Sequence, residues 1–310
     1  MSHFKSTITS LVIPIIVMLG IGLVASIVAP VFWTVLNGAY PLEKIYQKTG
    51  LLLLVISAIY GLRTPVVQTQ EKIQKSSLTN QLKRLTYSWL LGVLILAFPL
   101  FILLALKIRI PDTTLLALPI SILLKFISAL AIGLVVAVVE EYIFRGWLLG
   151  WLQTRLGEMK TIGQILAILI SALYFALLHF VKPAVNSTNQ HNTFLAGLDV
   201  FLRSLQHLYQ HSDADTLIAL FLAGILLAQI KIRFNHGLIV VIGIHAGWVF
   251  CIKITKALTD SNPASQLQYL VGHNGIVGYL SAGWLGILVL GLIVFGRVIN
   301  KQHKKASRNK

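Results

Sequence analysis

This chain repeatedly runs apolar for longer than a bilayer is thick. Residues 8–36 carry no charge, and neither do residues 85–106, between Arg84 and Lys107. A spanning helix needs about 20 such residues. Inside lipid every backbone N–H and C=O must find its partner within the structure, and for unbroken apolar runs the helix achieves this. The rest of the composition agrees. The 310 residues are 56% hydrophobic and only 12% charged, whereas an ordinary soluble domain is about one quarter charged. The expected fold class is all-α, a polytopic membrane helix bundle with about eight transmembrane helices. The candidate spans are residues 8–36, 50–62, 85–106, 118–156, 161–180, 216–230, 237–254 and 276–299. The first run far exceeds the 7–15-residue core of a signal peptide and reads as a spanning helix, with Pro14 and Pro30 as points of bending.

Net charge is +16, but the cations sit mainly in loops and the tail. That is a topological bias, so nucleic acid is not an expected partner and membrane lipid is. With eight spans both termini share a side. Of the 26 Lys and Arg, 16 fall on that side and 8 on the other, with Lys125 and Arg145 inside the fourth span. The positive-inside rule puts both termini in the cytoplasm, and the expected location is a bacterial inner (plasma) membrane. Cys251 is the single cysteine, so no intramolecular disulfide forms. In the longest segment between spans, residues 181–215, Phe194, Leu195, Leu198, Phe201, Leu202, Leu205 and Leu208 recur at helical spacing. They predict an amphipathic helix lying on the membrane or over the bundle.

Few groups within the spans can titrate: Glu140, Glu141, Arg145, His179, His245 and Cys251, with Lys125 near one end. A charge at the centre of a bilayer costs about 2.5 kcal/mol or more, so such residues are functional candidates by default. Glu140 precedes the turn expected near Gly157–Met159 by about as many residues as His179 follows it, so antiparallel helices bring the two to similar depth. His245 is about halfway along the seventh span. The expectation is that an acid and two imidazoles meet in one bundle.

Glu141 and Arg145 are four residues apart and share a helix face, which reads as a structural ion pair. Glu140 is rotated about 100° from Glu141 and points elsewhere. A desolvated carboxylate is a stronger base than a solvated one, which suits general-base work near neutral pH. With two imidazoles it can activate water directly or by holding a metal ion such as Zn²⁺; Glu140, His179 and His245 are the candidate ligands. Cys251 reads as a small core residue. His191, His207, His211, Asp213 and Asp215 read as solvated surface, and His236 and His273 as residues at span edges.

Glu140-Glu141-Tyr142-Ile143-Phe144-Arg145 matches the EExxxR pattern of the CPBP family, the CAAX prenyl proteases and bacteriocin-processing or abortive-infection proteins. Phe175-Ala176-Leu177-Leu178-His179 matches its FxxxH motif, and His245 in Gly243-Ile244-His245-Ala246-Gly247-Trp248 resembles the His of its third motif. The resemblance implies an intramembrane endopeptidase, metal-dependent or glutamate-dependent, acting on membrane-associated peptides or proteins. By similarity Glu140 and His179 activate a water, and His245 holds a metal or stabilises the oxyanion. The implied organisation is N-terminal transmembrane helices over 1–115, a CPBP-like catalytic bundle over 116–300 and a basic tail over 301–310. The third motif usually has Asn or Asp four residues after its His; this chain has Val249, which offers neither a ligand nor a hydrogen bond. Either another group substitutes, or the oxyanion is held less well, or activity is reduced or lost. The alternative functions are a non-catalytic scaffold or maturation factor that keeps the fold, and a proton-coupled transporter. The latter favours matched, broken repeats, which the sequence lacks.

Overall fold

The structure is a computed structural model. It describes residues 2–62, 77–116, 119–181, 193–210, 213–272 and 275–308, without the side chains of 2–7, 10, 61–62, 115–116, 193–194 and 297–308. In chain order the elements are α1 (Ser2–Val35), α2 (Leu42–Leu62), α3 (Leu78–Ala105), β1 (Arg109–Pro111), α4 (Thr113–Leu116) and α5 (Pro119–Glu141), then a π-helix (Tyr142–Leu148). There follow α6 (Leu149–Leu156), a 3₁₀ turn (Gly157–Met159), α7 (Lys160–Leu178), α8 (Thr193–Gln210), α9 (Ala214–Arg233), α10 (Gly237–Leu258), β2 (Thr259–Ser261) and α11 (Tyr279–Arg308). Among the described residues six helical stretches are long and apolar enough to cross a membrane, and one of them, Pro119–Leu178, contains both the fourth and fifth expected spans. The second expected span, within α2, is not among the six. The protein is a polytopic, helical membrane protein, as its apolar runs require.

The chain divides into two units. One comprises Met1–Lys75 and Tyr142–Ser212, the other Ser76–Glu141 and Asp213–Lys310.

In the first unit α1 is helical through both Pro14 and Pro30. The Thr34 hydroxyl donates to the Pro30 carbonyl at 2.9 Å, the kind of local compensation that lets proline sit inside a membrane helix. Small residues bring helices close. Ala25 and Ala29 are fully buried in a cluster with Leu42, Ile45 and Tyr46 of α2 and with Ala196, Val200 and Phe201 of α8. A Cβ on Gly197 would stand 2.0 Å from the Ser26 carbonyl oxygen, so α8 rests directly on the backbone of α1. The amphipathic helix expected over 181–215 is therefore α8, and its apolar face covers helices of its own unit. The turn expected near Gly157–Met159 is the 3₁₀ turn, and it folds α7 back on α6. There a Cβ on Gly163 would meet the Leu156 carbonyl oxygen at 1.9 Å.

The second unit is built around α10, which packs on α3 and on α5. Glycines set both approaches. A Cβ on Gly92 of α3 would lie 2.2 Å from the Ile244 carbonyl oxygen, and one on Gly133 of α5 would lie 2.9 Å from that of Ala246. The Trp284 indole of α11 donates to the Ile95 carbonyl of α3 at 2.8 Å.

The strand pair was not expected. β1 and β2 run antiparallel, with Arg109 opposite Ser261 and Pro111 opposite Thr259. The buried Arg109 donates to Thr259 Oγ1 at 2.7 Å, to the Gly275 carbonyl at 3.2 Å and to the Thr259 carbonyl. Burial lowers its guanidinium from the ordinary range, with the nearby Asp260 carboxylate opposing. A cation counted only as loop charge is thus a clasp between two connections of the second unit.

Candidate active site

Along α5 the buried residues are Ala129, Gly133, Ala137 and Glu141, every fourth position. Residues four apart share a helix face, and Gly133 shows which face this is, because it lies against Ala246 and Phe250 of α10. Glu141 is the last member of that small-residue stripe. It is fully buried, and its Oε1 lies 2.8 Å from His245 Nδ1. An imidazole Nδ1–H that donates to a carboxylate leaves the other ring nitrogen with its lone pair and holds the ring in one orientation. That other nitrogen, His245 Nε2, is 3.8 Å from Glu140 Oε2. This is beyond hydrogen-bond length but within Coulombic reach. The Glu140 side chain keeps 25% of its surface exposed, against 7% for His245.

Two of the three expected catalytic groups, Glu140 and His245, therefore meet in the second unit. Glu141, expected to serve only as the structural partner of Arg145, has a role the sequence reading missed. The signal was present in the Ala-Gly-Ala-Glu spacing, which aims Glu141 along the face that α10 covers.

Arg145 and His179 belong to the first unit. Arg145 sits in the π-helix, fully buried, with its guanidinium carbon 4.3 Å from the centre of the Phe175 ring and 5.8 Å from that of Phe144. A guanidinium over an aromatic face is a cation–π contact. A π-helix shifts the backbone register and is frequent at functional sites. The Phe144 carbonyl accepts from the Ser171 hydroxyl of α7 at 3.2 Å. His179 caps the C-terminus of α7, half-buried, with Nδ1 2.7 Å from the Phe175 carbonyl and its ring edge-on to Phe175 at 4.7 Å. Donation from Nδ1 to that carbonyl leaves Nε2 as the basic nitrogen.

Cys251 is buried, with Sγ 3.9 Å from the Val93 carbonyl, as a small core residue would be. His236 precedes α10 in the left-handed region. Two groups read as solvated surface are not. Asp215 is buried and accepts from the Thr216 amide, and His207 is half-buried with Nδ1 3.0 Å from the Phe180 carbonyl. Both read as surface from their polar neighbours in residues 181–215, whereas α8 and the start of α9 pack. His191, His211 and His273 lie outside the described residues.

Glu and His are donors of the zinc type. Among the described residues, however, no group of three or more His, Cys, Asp and Glu is placed to hold a metal ion.

A family model described as Rce1-like, type II CAAX prenyl endopeptidase, matches residues 122–251. The match supports the CPBP/CAAX protease family, and with it an intramembrane endopeptidase of the CAAX type in general. It spans Glu140, Glu141, Arg145, His179 and His245. No curated protein and no solved structure matches the chain.

Proposed function

We propose that the protein hydrolyses peptide bonds of membrane-associated peptides or proteins with Glu140 as the general base. The observation that carries the reading is the His245 ring, oriented by Glu141 so that Nε2 stands 3.8 Å from Glu140 Oε2. One water bridges two acceptors that far apart with two bonds of about 2.8 Å. Glu140 takes a proton from this water while His245 Nε2 accepts its other hydrogen. The oxygen forms a bond to the peptide carbonyl carbon, and the carbonyl π pair moves onto the carbonyl oxygen. The C–N bond then breaks as that pair returns, and the nitrogen leaves with the proton Glu140 held. The products are a carboxylic acid and an amine. His179 is proposed as a further catalytic residue on the FxxxH match.

Among the described residues no three donors are grouped for a metal, and in this reading the side chains act alone. The test uses the full chain in liposomes with an internally quenched prenylated CAAX peptide. Replacing Glu140 by Gln lowers kcat by about 10²–10⁴-fold, the usual size of a general-base contribution. Undiminished cleavage by this variant overturns the assignment.

Val249 favours a second reading, a scaffold or maturation factor that keeps the fold without catalysis. Under that reading Glu140→Gln leaves the cellular phenotype intact.

A further inference from the structure

Among the described residues of the second unit, the carboxylates and the imidazole of the site offer no donor to a developing negative charge. The site presents two carboxylates, and the Nδ1–H of its imidazole is committed to Glu141 at 2.8 Å. Peptide hydrolysis through the proposed base makes an oxyanion, and an oxyanion beside carboxylates needs a preorganised N–H or O–H. Val249, one turn beyond His245 on α10, carries neither.

The residue before it does. Trp248 is three positions after His245 and so shares its face. Its ring centroid is 6.4 Å from that of His245, with the planes inclined at 54°. The residue is 7% exposed, and its Nε1–H finds no acceptor among the described residues. Buried indole N–H groups nearly always have one, and stranding such a donor costs about 1–3 kcal/mol. Two other neutral side chains leave a buried polar atom in the same condition, and neither fits the need. Gln229 Oε1 is an acceptor, and Trp89 of α3 turns its ring to Phe250, five residues past His245.

We infer that the Trp248 indole N–H donates to the carbonyl oxygen of the scissile peptide bond as that oxygen becomes an oxyanion. Trp248 thus supplies the donor that Val249 lacks. The inference rests on the proposed peptidase reading.

The experiment compares Trp248→Phe with Glu140→Gln in the same liposome assay with the quenched prenylated peptide. Trp248→Phe keeps an aromatic ring and removes the donor. Losing one oxyanion donor lowers kcat about 10²–10³-fold, here with KM within twofold and an unchanged melting temperature. Adding Val249→Asn to Trp248→Phe returns at least a tenfold gain in kcat, which repacking alone would not produce. A second variant replaces the indole by the isosteric 3-benzothienylalanine, which lacks the N–H. It gives the same loss and decides the question should the phenylalanine fail to fold. Full kcat in either donorless variant, with Glu140→Gln inactive, overturns the inference and leaves the peptidase reading standing. So does a loss carried wholly by KM or by melting temperature. Full activity in Glu140→Gln overturns the peptidase reading itself.

Discussion

His245 gives its Nδ1–H to Glu141, not to Glu140, across 2.8 Å of buried space between α10 and α5. The fully buried carboxylate of the adjacent pair thus orients the imidazole. The partly exposed one, Glu140, stands 3.8 Å from the opposite ring nitrogen. Neighbouring acids on one helix take different roles because about 100° of rotation separates them.

On the proposed peptidase reading, Glu141 is a positioning residue. Glu141→Gln keeps an acceptor and lowers kcat about 10-fold. Glu141→Ala lowers it toward 100-fold, the usual range for a second-sphere partner. It also leaves a buried N–H without an acceptor, at about 1–3 kcal/mol of stability. Steady-state kinetics and melting temperature in matched liposomes check both effects. Wild-type kcat in Glu141→Ala would remove the positioning role.

Close approach of α3 and α10 depends on Gly92. Its Cβ would stand 2.2 Å from the Ile244 carbonyl oxygen, a backbone atom that cannot swing aside. Gly92→Ala forces the helices apart one residue from His245. It destabilises by about 1–3 kcal/mol, as overpacking does, and reduces kcat through the displaced imidazole. Gly291 of α11 has nothing within 4 Å of the same added atom. Gly291→Ala is neutral or stabilising by about 0.5–1 kcal/mol, since alanine is the better helix former. Thermal unfolding of the two variants side by side checks the contrast.

Cleavage by the side chains alone survives chelation. Dialysis against 1,10-phenanthroline leaves kcat within twofold, and elemental analysis of active protein finds less than stoichiometric zinc. A loss that added Zn²⁺ restores would show instead that Glu140 and His245 act through a bound metal.

By the positive-inside rule, the cation bias of the loops predicts that both termini lie in the cytoplasm. Alkaline phosphatase fused after residue 310 in a bacterial host is inactive, and a fluorescent protein at the same position is bright. The reverse pattern would invert the topology.

Much of the candidate site was legible along the chain because its markers are local. Glu140, Glu141 and Arg145 lie within six residues, and each histidine sits alone in an apolar run where a polar group is costly. The bond from Glu141 to His245 was harder to read, since it joins residues 104 apart and depends on which face of α5 meets α10. Arg109 was harder still. Its partners, Thr259 and Gly275, come from connections far along the sequence, and nothing near Arg109 distinguishes it from a loop cation.

By itself the sequence determined that this chain crosses a membrane as helices and that its few intramembrane charges are the candidates for chemistry. Hydrophobic length and the cost of a charge in lipid are properties of each segment alone. Tertiary structure decided which carboxylate holds His245, that Trp248 is buried with no acceptor for its N–H among the described residues, and that α8 covers α1. Those outcomes depend on helix rotation and on glycine-mediated approach, which are set only when one helix meets another.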